Sequence, residues 1–340
     1  MVVKLLTGMP PTVSIIVPCY NEEKRILSLL NALFSQTYDR SRLDVNIADG
    51  NSTDGTLDVI AAFQRDHPEL RLQVISNKIG SIPAALNRAI EASNGDVVLR
   101  LDAHSAPYPD YVENCILALE SRKGENVGGV WEIRPGANTW MARSIAVAAG
   151  HPLAVGDAFY RHARQAAYVD TVPFGCFRRE LLEKIGKYDE SLLANEDYEL
   201  NARIRNSGGK IWLDPAIRTV YFARSNLQAL AVQYFRYGFW KLKMLRRYPT
   251  TLRWRQALPP VFTASLAILF VLSFAWRVFG WLLLFEFLAY FIILMMVSLK
   301  NAVFRKEYFL MIGLPLAVAV MHLAWGAGFL WSIFSEKWIS

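Results

Sequence analysis

Three long apolar runs occupy the last quarter of this 340-residue chain. Each has about the 20 residues that an α-helix needs to cross the hydrocarbon of a bilayer. The runs cover about residues 257–276, 278–299 and 308–331. Charged residues are spread evenly before residue 257, as in a water-facing domain. The sequence therefore predicts a head of residues 1–225, amphipathic interfacial helices over 226–256, and a transmembrane domain of residues 257–340.

Basic residues that flank the runs predict their orientation, because Lys and Arg concentrate on the cytoplasmic side. Those before the first run are Lys241, Lys243, Arg246, Arg247, Arg253 and Arg255. Arg277 alone separates the first two runs. Between the second and third runs lie Lys300, Arg305 and Lys306. We expect a multi-pass protein of the cell membrane, with its head in the cytoplasm and its C-terminus outside.

The formal charge of +7 is moderate, and much of it lies next to the predicted membrane. The sequence of the head lacks the basic stripe typical of a nucleic-acid-binding protein, so we expect membrane lipids as partners and no nucleic acid. Cys19, Cys115 and Cys176 are far apart and lack metal-ligand spacing, which predicts core thiols in a reducing compartment. The sequence leaves the oligomeric state open and is compatible with a homo-oligomer.

The head alternates short apolar runs with amphipathic segments, which predicts an α/β fold. A β-branched run, residues 13–17, stops at Pro18 and leads through Tyr20 and Glu22 into an amphipathic helix. Such a loop lies at the carboxyl edge of the sheet, where open α/β folds bind ligands. The alternative is an ordinary helix start enriched in polar residues.

A second predicted strand, residues 43–48, ends at Asp49 and a segment rich in Gly, Ser, Thr and Asp. These residues are typical of a tight turn with helix capping. A carboxylate directly after a strand is also placed to accept hydrogen bonds from a base or ribose. We expect this role of Asp49 and a structural role of Asp54.

Two further predicted strands end in loops with candidate ligand-binding residues. Residues 72–76 are followed by Gly80 and Ser81 at the start of a helix, where backbone N–H groups can meet a phosphate. Residues 96–101 end at Asp102-Ala103-His104. Further along, Glu196 and Asp197 begin another segment patterned as a helix.

Five motifs occur in a fixed order over about 220 residues. They are Val17-Pro18-Cys19-Tyr20-Asn21-Glu22, the segment from Ala48 to Gly55, Asp102-Ala103-His104, Glu196-Asp197-Tyr198 and Gln233-Tyr234-Phe235-Arg236-Tyr237. Together they resemble family 2 glycosyltransferases, and more narrowly the membrane-bound bacterial enzymes of exopolysaccharide assembly of the succinoglycan glucosyltransferase type. The resemblance implies a GT-A fold, a Rossmann-like domain with a mixed and mainly parallel sheet.

The resemblance also implies a reaction. It is the metal-dependent, inverting transfer of a hexose from a nucleotide diphosphate sugar, UDP-linked, to a lipid-linked polyprenyl acceptor at the cytoplasmic face of the membrane, in polysaccharide or glycoconjugate assembly. Such a transfer requires neutralisation of the leaving pyrophosphate, removal of the acceptor proton, and in-line geometry.

Position and resemblance together assign the site residues. Donor-binding residues are Pro18, Tyr20, Glu22, Asp49, Gly80, Ser81, Asp102, Gln233 and Arg236. Catalytic residues are Asp197, as the base, and Glu196, which positions the acceptor or the loop. Acceptor-side residues are Gly175, Cys176 and Trp240. The alternative for Glu196 and Asp197 is that both acids complement a helix N-terminus, which is worth about 0.3–1 kcal/mol each.

The predicted metal ligands are Asp102 and His104, with Mn²⁺ or Mg²⁺ as the cofactor. The usual family motif is Asp-x-Asp, and His104 departs from it. A neutral imidazole coordinates without adding negative charge, so we expect a weaker Mg²⁺ site and a relative preference for Mn²⁺. The alternative is a loop histidine that only forms hydrogen bonds.

Other functions stay open at this point. A polyprenyl-phosphate glycosyltransferase would use a bare lipid phosphate as its acceptor. A processive polysaccharide synthase is disfavoured because Tyr237 replaces the Trp of the synthase motif and because three spans are few for a channel. A non-catalytic membrane subunit also stays open, because His104 departs from the Asp-x-Asp motif.

Some polar residues have two interpretations each. The arginines that could bind a lipid diphosphate, or form a solvated face, are Arg143, Arg161, Arg164, Arg178 and Arg179. Glu286 lies within a predicted span. It is expected to be neutral and paired with Ser or Trp in a helical bundle, the alternative being a polar path for a lipid headgroup.

Overall fold

The computed structural model describes residues 9–335. The first eight residues of the predicted head and the last five of the predicted transmembrane domain lie outside the described residues. The described chain divides into two compact units. The first comprises residues 9–132 and 162–221, and the second comprises residues 133–161 and 222–335. The predicted boundary at residue 225 stays a prediction.

The first unit is built on a mixed sheet. The strands are β1 Val13–Cys19, β2 Leu43–Asp49, β3 Arg71–Ser76, β4 Val97–Arg100, β5 Ala106–Pro107, β6 Asn126–Arg134, β7 Ala167–Tyr168, β8 Cys176–Arg178 and β9 Ile211–Phe222. Their order is β3-β2-β1-β4-β8-β6-β9-β5, and β7 also pairs with β9. Strands β1 to β4 pair in parallel, whereas β8 is antiparallel to β4 and β6. The predicted α/β fold with a mixed sheet is confirmed.

Strand β1 lies within the sheet, and its β-branched side chains are buried. Val13, Ile15, Ile16 and Val17 are all fully inaccessible to solvent, as expected for a parallel strand covered on both faces. Strand β1 lies between β2 and β4, so the strand order changes direction beside it. Ligands bind outside the carboxyl ends of strands at such a switch point.

Helices of the described chain alternate with the strands and then replace them. They are α1 Ile26–Phe34, α2 Thr56–Asp66, α3 Ile82–Glu91, α4 Tyr111–Glu120, α5 Trp140–Ala149, α6 Pro152–Val155, α7 Arg179–Ile185, α8 Glu196–Asn206, α9 Leu227–Arg247, α10 Trp254–Ser273, α11 Arg277–Arg305 and α12 Leu310–Phe334. Single 3₁₀ turns lie at Arg40–Arg42, Phe159–Arg161 and Pro249–Thr251.

Helices α10, α11 and α12 of the second unit are long and apolar enough to cross a membrane. Each overlaps one of the three apolar runs of the sequence. Helix α9 packs closely on α12, because a Cβ atom at Gly238 would lie 2.1 Å from the carbonyl oxygen of Trp325. A Cβ atom at Gly328 would lie 2.1 Å from the carbonyl oxygen of Phe235. Glycines at both positions let the two backbones meet.

Polar side chains within these apolar helices have protein partners. The Ser265 hydroxyl of α10 donates to Oε1 of Glu286 on α11 at 2.5 Å, which is the pairing that the sequence analysis expected. His322 of α12 lies 3.0 Å from the Tyr290 hydroxyl through Nδ1. Its Nε2 lies 3.1 Å from the carbonyl oxygen of Leu153.

Four of the five candidate arginines are engaged by protein groups. Arg143 pairs with Glu307, and Arg161 donates to the carbonyl of Ala149 at 3.1 Å. Arg178 pairs with Glu120 at 2.7 Å. The guanidinium of Arg179 donates to two backbone carbonyls, those of Gly95 and Ile90, and to the Ser93 hydroxyl. These contacts favour structural roles for the four side chains.

Candidate active site

The buried guanidinium of Arg100, at the end of β4, binds three carboxylates. Nη2 lies 3.0 Å from Oδ1 of Asp102 and 2.9 Å from Oε1 of Glu196, and Nη1 binds Oδ1 of Asp197. Only 3% of the Arg100 side chain is exposed. Arg100 was not among the predicted site residues. Its charge at the end of the apolar run Val97–Leu99 is nevertheless a signal, because a buried charge requires partners.

Two distant elements supply the acids. Asp102 follows β4, whereas Glu196 and Asp197 form the first turn of α8. Asn195, just before α8, has a left-handed backbone with φ of 65°, which turns the chain into the helix. The structure thus brings Asp102 and Asp197 to one guanidinium, as the proposed site requires.

Asp197 has unusual acid–base properties. Burial raises its pKa to about 7, and the nearby charges of Glu196 and Asp102 act in the same direction against the lowering effect of Arg100. A carboxyl group with a pKa near neutrality can accept and release a proton under physiological conditions. Its side chain is 23% exposed, so a substrate can reach it.

His104 is held by Glu22. Nδ1 of His104 lies 2.9 Å from Oε1 of Glu22. Burial lowers the pKa of His104, but the hydrogen bond to Glu22 and the charge of Asp102 outweigh it, so the pKa is raised. This contact leaves Nε2 as the nitrogen that a metal would meet, in the carboxylate–histidine arrangement common around metal-binding histidines. Both interpretations of His104 fit this geometry.

The potential ligands around Asp102 fit a metal ion whose coordination shell is completed by substrate. Within residues 9–335, no three His, Cys, Asp or Glu side chains are grouped so that they could hold an ion. Asp102 offers carboxylate oxygen and His104 offers ring nitrogen. A Mg²⁺ ion is usually held by one or two carboxylates together with substrate phosphates and water, and two protein ligands agree with such a site.

The loops after β1 and β2 are joined through Asp49. Ser52 donates to the Asp49 carboxylate through its backbone nitrogen at 3.0 Å and its hydroxyl at 2.6 Å. The backbone nitrogen of Asn21 donates to the Ser52 hydroxyl at 2.9 Å. Tyr20 is 57% exposed next to this junction, and Pro18 is half-buried within β1. Asp49 therefore has a local structural role, whatever it binds.

Asp54 and Cys19 have structural roles beside this loop. Asp54 accepts from the backbone nitrogen of Thr56 at 3.1 Å, at the start of α2. Burial raises the pKa of Cys19 to about 12, which makes it an inert thiol. All three cysteines are buried and free of disulfides, as the sequence analysis expected.

Gly80 and Ser81 precede α3. Gly80 has a φ of 73°, a left-handed conformation that glycine adopts without strain. The Ser81 hydroxyl is buried and has no hydrogen-bond partner among the residues that the structure describes. A buried hydroxyl at a helix N-terminus is suited to an anion.

The predicted acceptor-side residues Gly175 and Cys176 lie against β4. The Gly175 carbonyl accepts from the backbone nitrogen of Arg100 at 3.0 Å, and Cys176 pairs with Leu99 in the sheet. A Cβ atom at position 175 would lie 2.5 Å from the Asn126 side chain. This crowding gives a packing reason for the glycine.

Tyr188 is a further residue at the acid cluster that the sequence analysis missed. The side chain of Asn87 holds its backbone at both ends, accepting from the nitrogen and donating to the carbonyl at 2.9 Å. Burial and the charge of Asp197 raise the pKa of Tyr188. The phenol is therefore neutral beside Arg100 and Asp197.

Gln233, Arg236 and Trp240 lie in the second unit, on α9. Gln233 donates to the Tyr237 hydroxyl at 2.9 Å, and Arg236 is half-buried. Trp240 is buried within that unit. The roles given to these three residues stay predictions, as do those of the residues in the first unit.

Comparison with known proteins identifies the family of this chain. The model for glycosyl transferase family 2 matches residues 14–186, more than half of the chain. The chain belongs to glycosyl transferase family 2. The matched segment includes all of β1 after Val13, together with Asp49, Asp102 and His104. It ends before Glu196 and Asp197, which the structure joins to it through Arg100.

Two curated proteins are similar to this glycosyltransferase. The succinoglycan biosynthesis protein ExoA of Rhizobium meliloti is 29% identical over 323 residues, which are 93% of each chain. The dolichyl N-acetyl-alpha-D-glucosaminyl phosphate 3-beta-D-2,3-diacetamido-2,3-dideoxy-beta-D-glucuronosyltransferase of Methanococcus voltae is 29% identical over 248 residues, covering 71% of this chain and 76% of that one.

A solved structure shares the fold of this glycosyltransferase. It is the mannosyltransferase PcManGT from Pyrobaculum calidifontis in complex with GDP-Man and Mn²⁺. The two structures superpose with a TM-score of 0.62 at 20% identity, over 93% of this chain and 88% of that one. The likeness supports the GT-A fold.

Proposed function

We propose that this family 2 glycosyltransferase moves a hexose, with inversion, from a UDP-linked sugar to a lipid-linked acceptor sugar at the cytoplasmic membrane face. The observation that carries the proposal is the convergence of Asp102 and Asp197 on Arg100. One acid follows a central strand, as a donor-binding residue does in this family. The other has a pKa near neutrality, as a general base requires.

The reaction follows from these groups as a single displacement. The acceptor hydroxyl gives its proton to the Asp197 carboxylate while its oxygen attacks the anomeric carbon. The bond from that carbon to the diphosphate breaks, and the nucleotide diphosphate leaves with the electron pair. Attack opposite an α-linked leaving group gives a β-glycoside.

Donor binding is assigned to the carboxyl ends of the parallel strands. Asp102 and His104 would hold a divalent ion, which neutralises the leaving diphosphate when bound. The unsatisfied hydroxyl of Ser81 and the N-terminus of α3 supply further contacts for an anion. The Mn²⁺ and GDP-Man bound to the Pyrobaculum enzyme support a metal and a nucleotide sugar in this fold.

The acceptor is assigned from the membrane helices and the relatives. Helices α10 to α12 are suited to a bilayer, where a lipid-linked acceptor is found. The name of the Methanococcus enzyme specifies a dolichyl-phosphate-linked sugar as its acceptor, and ExoA acts in succinoglycan biosynthesis. The Methanococcus name favours an acceptor that already carries a sugar over a bare lipid phosphate.

Asp197→Asn tests the proposal. It should lower kcat by about 10²–10⁴-fold, the usual contribution of a general base, while UDP-sugar affinity measured by calorimetry changes little. Asp58→Asn, an exposed acid in the first turn of α2, is the matched control and should keep full activity. Transfer at an undiminished rate by Asp197→Asn would remove Asp197 as the base.

Product analysis tests the acceptor. A glycosidic bond to a lipid-linked sugar is expected because the name of the Methanococcus enzyme favours it. A sugar phosphodiester would replace this acceptor with a polyprenyl phosphate.

A further inference from the structure

We propose that Arg100 is the positioning residue of the transfer reaction, which fixes the carboxylate of Asp197 relative to that of Asp102. This inference rests on the proposed function, because it assigns the donor side to Asp102 and the base to Asp197. Arg100 is not itself expected to touch the substrate. Its side chain is 3% exposed, and its nitrogens already face protein carboxylates.

The geometry of the guanidinium supports this role. Nε and Nη2 donate to the same oxygen of Asp102 at 3.2 and 3.0 Å. Nη2 also donates to Glu196 at 2.9 Å, and Nη1 donates to Asp197. A planar fork with fixed donors holds several carboxylates in one arrangement, whereas the ammonium of Lys is a point charge on a flexible stem.

The backbone of Arg100 is fixed on two sides. Arg100 pairs with Ile16 of β1 in the parallel part of the sheet. Its backbone nitrogen donates to the Gly175 carbonyl at 3.0 Å. Because the backbone of Arg100 is held in the centre of the sheet, its guanidinium fixes the position of the first turn of α8, which carries Asp197. The base is thus held by the sheet although it lies on a helix.

The balance of charge also supports this role. Asp197 interacts electrostatically with the carboxylates of Asp102 and Glu196, the phenols of Tyr188 and Tyr111, and the guanidinium of Arg100. Arg100 pairs with all three acids. Loss of this cation leaves the acids to repel one another, so Asp197 should take up a proton at a higher pH.

The test compares the pH dependence of kcat/KM for the wild type, Arg100→Lys and Arg100→Gln. The matched control is Arg179→Gln, because Arg179 donates to carbonyl and hydroxyl oxygens rather than to carboxylates. Thermal unfolding and UDP-sugar binding are measured for each variant. These measurements separate loss of the fold from loss of the base.

In Arg100→Gln the acid limb of the profile should move up by about 1–3 pH units. On that limb kcat/KM should therefore be lower by at least about tenfold, since one pH unit corresponds to tenfold, with partial recovery at high pH. Arg100→Lys keeps a cation without the fork, so it should keep the wild-type limb but lose kcat at every pH. Arg179→Gln should keep the wild-type profile even where its stability falls.

A folded Arg100→Gln with the wild-type acid limb and kcat would overturn the inference. Should Arg100→Gln not fold, Arg100→Lys decides, because an unchanged kcat in that variant is equally incompatible with positioning by the fork. Absence of transfer by the wild type, with bound UDP-sugar, would instead reject the proposed function. The two failures are therefore distinguishable.

Discussion

At the scale of single residues, the carboxyl group of Asp197 should set the pH dependence of the enzyme. Burial raises its pKa to about 7, and a base works only when it is deprotonated. Activity should therefore be complete well above pH 7 and fall about tenfold per unit as the pH drops below 7. The measurement is kcat/KM of the wild type between pH 5 and 9, with UDP-sugar binding at each pH as the control. An acid limb near pH 4, the range of an ordinary Asp, would contradict a buried base.

Glu22 should act through His104. The contact between Oε1 of Glu22 and Nδ1 of His104 orients the ring, and loss of such a partner typically weakens metal binding by about 10–100-fold. We expect Glu22→Gln to weaken Mn²⁺ binding in the presence of UDP, measured by electron paramagnetic resonance. The matched control is Glu23→Gln, at an exposed neighbour whose carboxylate accepts from the backbone nitrogen of Gly55 at 3.2 Å. Unchanged Mn²⁺ affinity in both Glu22→Gln and His104→Gln would show that His104 only forms hydrogen bonds.

Sequence patterns locate some residues of this site better than others. Asp102 and Asp197 are visible because each stands at the boundary of a patterned element and in a motif of the family. The roles of Arg100 and Tyr188 are not visible, because they depend on contacts with residues far away in the chain, although a charge at the end of an apolar run indicates that Arg100 needs partners. Arg100 meets Asp197 across 97 positions, and Asn87 meets Tyr188 across 101. No local pattern encodes such pairs.

At the scale of elements, the packing of α9 on α12 should depend on its glycines. A Cβ atom at Gly238 would lie 2.1 Å from the Trp325 carbonyl oxygen, so Gly238→Ala forces the helices apart. Overpacking of this kind costs about 1–3 kcal/mol, and we expect a lower unfolding temperature in detergent. The matched control is Gly280→Ala on α11, where the nearest atom would be at an ordinary 3.7 Å. Equal unfolding temperatures for the two variants would contradict the close packing of α9.

Element prediction succeeds where hydrophobic patterning is local. The expected strand at residues 43–48 is observed as Leu43–Asp49, and the one at 72–76 as Arg71–Ser76. Helix α5 begins at Trp140, because the Thr139 side chain accepts from the backbone nitrogen of Ala142 at 3.1 Å. The antiparallel pairing of β8 with β4 and β6 has no local signal, since partners separated by about 50 or more residues determine it.

At the scale of the whole molecule, a change in composition locates the apolar helices. It does not show which segments of the chain form each of the two compact units. Residues 133–161 belong to the second unit although they precede the last strands of the sheet. The reason is packing within that unit. Ser144 of α5 lies against Gly313 of α12, where a Cβ atom would be 2.1 Å from the Ser144 hydroxyl. A short helix such as α5 does not show from its own sequence that it packs on a distant apolar helix.

The orientation of the apolar helices in the membrane should follow from the basic residues that flank their turns. The turn between α10 and α11 is flanked by Arg277 alone, whereas three basic residues surround the turn between α11 and α12. The positive-inside rule then places the first turn outside and the second in the cytoplasm. Ala275→Cys and Tyr308→Cys each put a thiol at an exposed position of one turn. The wild type is a clean background, because its three cysteines are buried.

A membrane-impermeant maleimide should label Ala275→Cys on intact cells. It should label Tyr308→Cys only after permeabilisation, and the wild type in neither case. This outcome would also bring the end of α12 to the outer face, leaving the head on the side where nucleotide sugars are made. Labelling of Tyr308→Cys on intact cells would invert the topology. It would also separate the proposed active site from a cytoplasmic donor, because the head and this turn are expected on the same side.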